Sequence, residues 1–363
     1  MRDIEGKVAF ITGAASGMGL GMTKAFTKAG MKVMMADIDE KRLQAAAADL
    51  KARGADVDTL RCDITIEDSV FAAAAATVKR FGTVHVLCNN AGVSVGGLSE
   101  ELSQKDWDWV VAVNQTAIVY AMRAFLPLMK ANGESGHVMS TASMAGLVNA
   151  GAGWGAYNAS KHAAVAMMEV LYSELKDTPI GVSVLCPGAV NTNILEAATH
   201  RPDHFGKSDD RPIALNPIGE TLQQGLDPDV VGELVLDAIR ENQFYIFTDP
   251  RMERQIERLF DRIKLGFAWA RKNEHLIAAN QPGGRSCRRV RIAGGRQGLR
   301  TPFRSPAGPP GTQTASGPLR WKAQRAPRIP PGTALSRVGT PPPAHTVRGS
   351  STSAVWDRSP PRA

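Results

Sequence analysis

The chain has 363 residues, 43 Lys+Arg against 35 Asp+Glu and a formal charge of +8, enough for one large α/β domain with an appendage or for two domains. No uninterrupted apolar run reaches the roughly 20 residues that a membrane-spanning helix needs. The four cysteines, Cys62, Cys88, Cys186 and Cys287, have no metal-ligand spacing, and with a non-apolar N-terminus they point to a reduced, cytoplasmic protein without a structural metal.

In chain order, the first element is a short β-rich run, Val8-Ala-Phe-Ile11, followed by a glycine-rich turn and a helix. Lys32-Val-Met-Met35 is the second run, a helical pattern over 40–53 follows, and Asp56-Val-Asp-Thr-Leu60 is a weaker third run before a helix at 67–81. Val84-His-Val-Leu-Cys88, a helix at 107–131, His137-Val-Met-Ser140, a helix at 157–176, Val182-Ser-Val-Leu-Cys186, a helix at 228–242 and Phe244-Tyr-Ile-Phe247 complete the series. Unbroken apolar strands alternating with amphipathic helices predict a parallel sheet covered on both faces. The expected fold is therefore α/β, a Rossmann-like doubly wound sheet of about seven strands, with ligands at the carboxyl ends of the strands. It occupies residues 1–250, and a further helix is expected within 251–280, with Met252, Ile256, Leu259, Phe260, Ile263 and Phe267 along one side.

From residue 281 the composition changes. The last 83 residues hold 15 Lys+Arg, one acid (Asp357), 14 prolines and 11 glycines, whereas residues 1–280 carry 28 basic and 34 acidic residues, a net −6. With few large apolar side chains and no periodicity, this tail cannot offset the entropy of ordering it and is expected to be disordered. Its basic charge suits a polyanion. It lacks interleaved aromatics, however, having only Phe303, Trp321 and Trp356. No nucleic-acid partner is expected, and its Arg/Pro/Gly/Ala bias is what GC-rich DNA gives when read out of frame.

Two motif groups carry chemistry. Thr12-Gly-Ala-Ala-Ser-Gly-Met-Gly19 joins the first strand to the first helix. Gly13 permits the tight turn, Gly17 lets backbone approach a pyrophosphate, and Gly19 lets helix and strand pack closely, while the helix N-terminus faces the phosphates. Asp37 ends the second strand eighteen residues after Gly19. A carboxylate there accepts ribose hydroxyls and repels a 2′-phosphate, which favours NAD over NADP. Ile38 and Ala15 stand where an NADP site wants a cation; Lys41 and Arg42 are assigned to a solvated helix face. Asp63, after the third strand, stands where a helix N-cap is expected, an alternative to the cofactor contact considered below. In the second group, Tyr157 and Lys161 at i and i+4 share one helix face, so the ammonium stands beside the phenol and favours its ionisation. Tyr157 can then take a hydroxyl proton or donate one to a ketone. Ser143, fourteen residues earlier and just after a strand, can hydrogen-bond the substrate oxygen. Asn114 lies inside a long helix where asparagine is a poor choice and needs a reason.

The Thr-Gly-x-x-x-Gly-x-Gly spacing, Asn89-Asn-Ala-Gly92, Asn114, Ser143, Tyr157-x-x-x-Lys161 and Pro187-Gly188 with Val190 and Thr192 together resemble the short-chain dehydrogenase/reductase family over about residues 6–250. The resemblance implies hydride transfer between NAD and a secondary alcohol or ketone, or with NADPH a carbonyl reductase, with Asn114, Ser143, Tyr157 and Lys161 as the catalytic set. It implies that Asn114 distorts its helix and holds a water leading from Lys161 to solvent. It also implies a cofactor site built from Gly13, Ser16, Gly17, Met18, Gly19, Asp37, Asp63, Ile64, Asn90, Ala91, Gly92, Tyr157, Lys161, Pro187, Gly188, Val190 and Thr192, and a homodimer or homotetramer. The loop from Asn191 to about Leu226 should cover the substrate. Its start, Thr192 to Pro202, is weakly similar to bacterial Cα-dehydrogenases of lignin-derived aryl ethers. Ser143, Trp154 and Leu195 are the candidate substrate contacts, Trp154 and Leu195 being pocket wall or ordinary core.

Overall fold

The computed structural model describes residues 1–206 and 216–279. The expectation for the basic tail therefore lies outside the described residues. Seven strands form one sheet: β1 (Val8–Thr12), β2 (Lys32–Asp37), β3 (Val57–Arg61), β4 (Val86–Asn89), β5 (Gly136–Thr141), β6 (Ile180–Cys186) and β7 (Tyr245–Phe247). Their order is β3-β2-β1-β4-β5-β6-β7, all parallel. The order reverses between β1 and β4, so the connections leaving those two strands part to opposite faces and open a crevice at their carboxyl ends.

Side chains alternate along each strand and feed two cores. Ala9, Ile11, Val33, Met35 and Cys88 face α1 (Gly17–Lys28), α2 (Glu40–Ala52) and α8 (Pro228–Glu241). Phe10, Met34, Leu87 and Val138 face α3 (Glu67–Phe81), α5 (Ala117–Asn132) and α6 (Gly155–Leu175). Helices α1 and α8 meet backbone to backbone. A Cβ on Gly21 would stand 2.1 Å from the Pro228 carbonyl oxygen, and one on Gly232 2.2 Å from that of Gly21, so both positions require glycine.

The single helix expected at 107–131 is a 29-residue helical run, Gln104–Asn132. It consists of α4 (Gln104–Val111), a π-helical turn (Ala112–Thr116) and α5. By length and apolarity this run could cross a membrane; half of its apolar window is buried inside the fold, and its hydrophobicity serves the sheet face. Elements with no counterpart in the sequence reading include α7 (Asn216–Gln223) and a 3₁₀ turn over Ile194–His200. In α9 (Glu253–Lys272) only the start of the expected stripe is docked: Met252, Ile256 and Leu259 pack on the core, whereas Phe260, Ile263 and Phe267 are exposed. A short α10 (Glu274–Ala279) follows.

Candidate active site

The glycine loop is held by contacts that leave no room for a side chain. Gly13 has φ +68° and a Cβ there would meet Ala91 Cα at 2.9 Å; on Gly19 it would stand 2.1 Å from the Gly13 carbonyl oxygen. Ser16, at the N-cap of α1, makes no side-chain capping bond, which leaves the first amides of the helix for an anion. Asn90 stitches the crevice together. Its Nδ2 donates to the Thr12 carbonyl at 3.0 Å, its own N–H donates to Thr12 Oγ1 at 3.0 Å, and its Oδ1 accepts from Thr141 Oγ1 at 3.1 Å. Together with Asn89, whose Nδ2 donates to Ser140 Oγ at 3.1 Å, it ties β1, β4 and β5 at their carboxyl ends.

Asp37 is pre-oriented by two backbone donors: Ala15 N–H to Oδ2 and Asp39 N–H to Oδ1, each at 3.0 Å. Each oxygen retains a lone pair for a sugar hydroxyl. Arg42 requires a correction. Although 41% exposed, it also lines the same end of the cleft beside Asp37 and Ile38, with Nε 3.6 Å from Asp39 Oδ2, since only Ile38 and Asp39 separate β2 from α2. Asp63 is not a helix N-cap, since that position in α3 is Ile66. Its Oδ1 instead accepts from Thr65 N–H at 2.9 Å and Thr65 Oγ1 at 2.6 Å, and both Asp63 and Ile64 line the cleft.

Tyr157 and Lys161 stand one turn apart near the start of α6, with Lys161 Nζ 5.7 Å from the centre of the Tyr157 ring. Lys161 is buried, 2% exposed, and its ammonium donates to the Thr141 carbonyl at 2.9 Å. Burial lowers its pKa to about 8. Burial likewise raises the Tyr157 phenol, against the opposing pull of the Ser143 hydroxyl beside it. Ser143 follows β5 in extended conformation and accepts from Ala145 N–H at 3.1 Å. Its hydroxyl and the Tyr157 phenol are thus adjacent, a donor pair for one substrate oxygen.

Asn114 sits in the π-helical turn, the insertion by which its side chain is turned into the site. Its Oδ1 accepts from Val93 N–H at 2.9 Å, and its Nδ2 donates to the Val93 carbonyl at 2.9 Å and to Ser160 Oγ at 3.0 Å. It clamps the segment after β4 to the helix that carries Lys161. A Cβ on Gly92 would lie 3.2 Å from Lys161 Nζ and 3.4 Å from Asn114 Oδ1, so this glycine keeps open the gap between the two groups.

Of the other expected contacts, Pro187 and Thr192 line the cleft, and Thr192 Cγ2 would be 3.2 Å from a Cβ on Gly17 across it. Gly188 and Val190 support the site from behind: Gly188 N–H donates to Thr248 Oγ1 at 3.0 Å, and Val190 is buried in the core. Leu195 does not line the cleft. The three-residue period of the 3₁₀ turn presents Ile194, Ala197 and His200 there, with Glu196 beside them. Trp154 lies off the cleft wall and packs edge-on against Tyr157 at 6.1 Å. Trp109, 1% exposed, is the tryptophan on the wall; its helical, core-like setting gave no signal for this.

A family model for short chain dehydrogenases matches residues 7–203. The chain is 34% identical over 274 residues to a CLA biosynthesis dehydrogenase/reductase of Lactiplantibacillus plantarum, covering 73% of this chain and 94% of that protein. It is 32% identical to a Cα-dehydrogenase of Sphingobium sp. SYK-6, covering 72% and 87%. The crystal structure of a Burkholderia phymatum short chain dehydrogenase/reductase in complex with NAD superimposes with TM-score 0.70 at 37% identity, covering 73% of this chain and 97% of that one. With its parallel sheet, its glycine loop at the switch point and its Tyr157–Lys161 pair facing the same crevice, this chain belongs to the short-chain dehydrogenase/reductase family.

Proposed function

We propose that this protein oxidises a secondary alcohol, or reduces the corresponding ketone, with NAD. The observation that carries the reading is that the Tyr157 phenol, the Lys161 ammonium and the Asp37 carboxylate open on one cleft together with the glycine loop. The residues fit the dinucleotide: Gly13, Gly17 and the free amides of α1 suit its pyrophosphate, and the pre-oriented Asp37 suits the adenosine ribose. When bound, the nicotinamide supplies the hydride acceptor or donor. The protein's own residues move the proton. The Ser143 hydroxyl and Tyr157 phenol hold the substrate oxygen; Tyr157 Oη takes its proton in oxidation and returns it in reduction. The Ser143 hydroxyl opposes the burial that raises the phenol, and a cation beside a phenol favours the phenolate, which is the role assigned to Lys161. Asn114 positions Lys161 from behind.

The cleft wall includes the apolar side chains of Val93, Val113, Ile194, Ala197 and Pro202, which suits a bulky apolar alcohol. The likeness to a Cα-dehydrogenase and to a 1-deoxy-11-beta-hydroxypentalenate dehydrogenase of Streptomyces exfoliatus supports the same class. We place it in the cytoplasm, as a homodimer or homotetramer. One observation favours a second reading, NADPH-dependent carbonyl reduction: Arg42 lines the ribose end and could face a 2′-phosphate. The test is absorbance at 340 nm with NAD and NADP against aliphatic, cyclic and benzylic alcohols. Tyr157→Phe keeps the ring but not the transferable proton, so turnover should fall by about 10²–10⁴-fold while cofactor still binds. Wild-type turnover in this variant would remove Tyr157 from the mechanism.

A further inference from the structure

The segment 192–206 roofs the cleft. Thr192, Ile194, Glu196, Ala197, His200 and Pro202 all line it, yet the segment has no strand or long helix of its own to hold it there. Ala197 and Phe205 pack it against the cluster of Val95, Trp109 and Val110, and its buried polar anchor is Arg201, whose side chain is 2% exposed. One guanidinium nitrogen donates to Asp106 Oδ1, another donates to the Phe205 carbonyl at 2.9 Å, and the group lies 5.0 Å over the Trp109 ring. Asp106 and Trp109, three residues apart on α4, present one face to it. Asp106 is itself fixed, its Oδ2 accepting from Ser103 N–H at 3.1 Å and Ser103 Oγ at 2.7 Å in the capping box that starts α4. Trp109 lines the cleft as well.

A second tether is weaker. His200 Nε2 lies 3.7 Å from Asp39 Oδ2, with side chains 36% and 21% exposed. Exposed pairs of this kind contribute little, whereas a buried, stacked guanidinium whose partner is removed leaves an uncompensated charge. Of the two polar tethers, the arginine is therefore the stronger.

We infer that Arg201 is a positioning residue for the cofactor: its buried contact with Asp106 and Trp109 fixes the 192–206 roof over the dinucleotide and sets how tightly, and for how long, the dinucleotide is held. This rests on the dinucleotide reading above. Arg201 touches no reacting atom and acts only through Pro202, His200 and the turn before them. Lysine cannot replace it, because an ammonium provides neither the planar stack nor two diverging donors.

The test uses the full chain and NADH as the probe, without substrate. Equilibrium dissociation constants come from nucleotide fluorescence and release rates from stopped flow, with melting temperature measured in parallel. Arg201→Ala and Asp106→Asn should each weaken NADH tenfold or more, chiefly through faster release. Arg201→Lys should fall between them and wild type. The double variant should be no weaker than the worse single, since both remove one contact. With an alcohol that the wild type oxidises, KM for NAD should rise while kcat does not fall, because release of reduced cofactor is not slowed. A role confined to folding would lower melting temperature and leave NADH affinity unchanged. Affinity and release within twofold of wild type in Arg201→Ala would overturn the inference; if that variant does not fold, the same result in Arg201→Lys and Asp106→Asn would do so. If wild-type protein ignores NADH but binds NADPH, the choice of NAD has failed. The roof is then judged by the same variants with NADPH.

Discussion

Lys161 offers a test in which stability and activity move in opposite directions. Its ammonium is buried, 2% exposed, with one hydrogen bond, to the Thr141 carbonyl, and burial lowers its pKa from 10.5 to about 8. A depression of that size corresponds to about 3 kcal/mol of folding free energy, at about 1.4 kcal/mol per unit. At pH 7 the lysine is charged in both the folded and the unfolded chain, so the whole penalty is present. As pH rises through about 8 the folded form loses its proton first, and stability rises until the unfolded chain also deprotonates near 10.5. Between pH 7 and 9 the wild-type protein should therefore gain about 1 kcal/mol from this group alone. Lys161→Met keeps the stem volume and removes the charge. It forfeits the bond to Thr141, a loss of about 1–3 kcal/mol if that carbonyl stays unpaired. At pH 7 the variant should melt at or slightly above wild type, and by pH 9 wild type should have gained on it by about 3 °C, at about 2–4 °C per kcal/mol. Turnover should collapse at both pH values. Thermal melts of the two cofactor-free proteins at matched ionic strength provide the comparison. A melting difference that does not move with pH would show that the ammonium is not desolvated as the structure has it.

Three further outcomes can be checked. Asp37→Ala combined with Ile38→Arg should shift preference toward NADP, since it removes the carboxylate and adds a second guanidinium beside Arg42 at the ribose end; steady-state kinetics with both cofactors measures this, and a wild type that already prefers NADP would refute the assignment of Asp37. Gly232→Ala should destabilise by about 1–3 kcal/mol or more, because its Cβ would lie 2.2 Å from the Gly21 carbonyl oxygen and must push α8 off α1; an unchanged urea midpoint would contradict that contact. Deleting residues 281–363 should leave turnover and melting temperature nearly unchanged at low and at physiological salt, since that segment carries +14 against −6 for the remainder and little apolar surface; a large loss at both salts would place the tail in the working enzyme.

The sequence by itself determined the sheet, the family and most of the reacting groups. Unbroken apolar runs and helices of period 3.6 are local signals, and Gly13, Gly19, Tyr157 and Lys161 act through spacings of a few residues that the chain cannot lose. Asp37 was legible for the same reason, being fixed by the length of one βα unit. Three features were decided only by tertiary structure. Nothing local marks Arg201 as the partner of Asp106, 95 residues away; the pair exists because the segment after β6 folds back over the start of α4. Arg42 reads as a surface residue of an amphipathic helix, and it also lines the cleft because only two residues separate the end of β2 from the start of α2. Leu195 reads as pocket wall or ordinary core, and the wall is formed instead by Ile194 and Ala197 because the turn is 3₁₀, with its own period. Spacing along the chain encodes which residues share an element's face, whereas which element that face meets depends on long-range closure, which no short window of sequence contains.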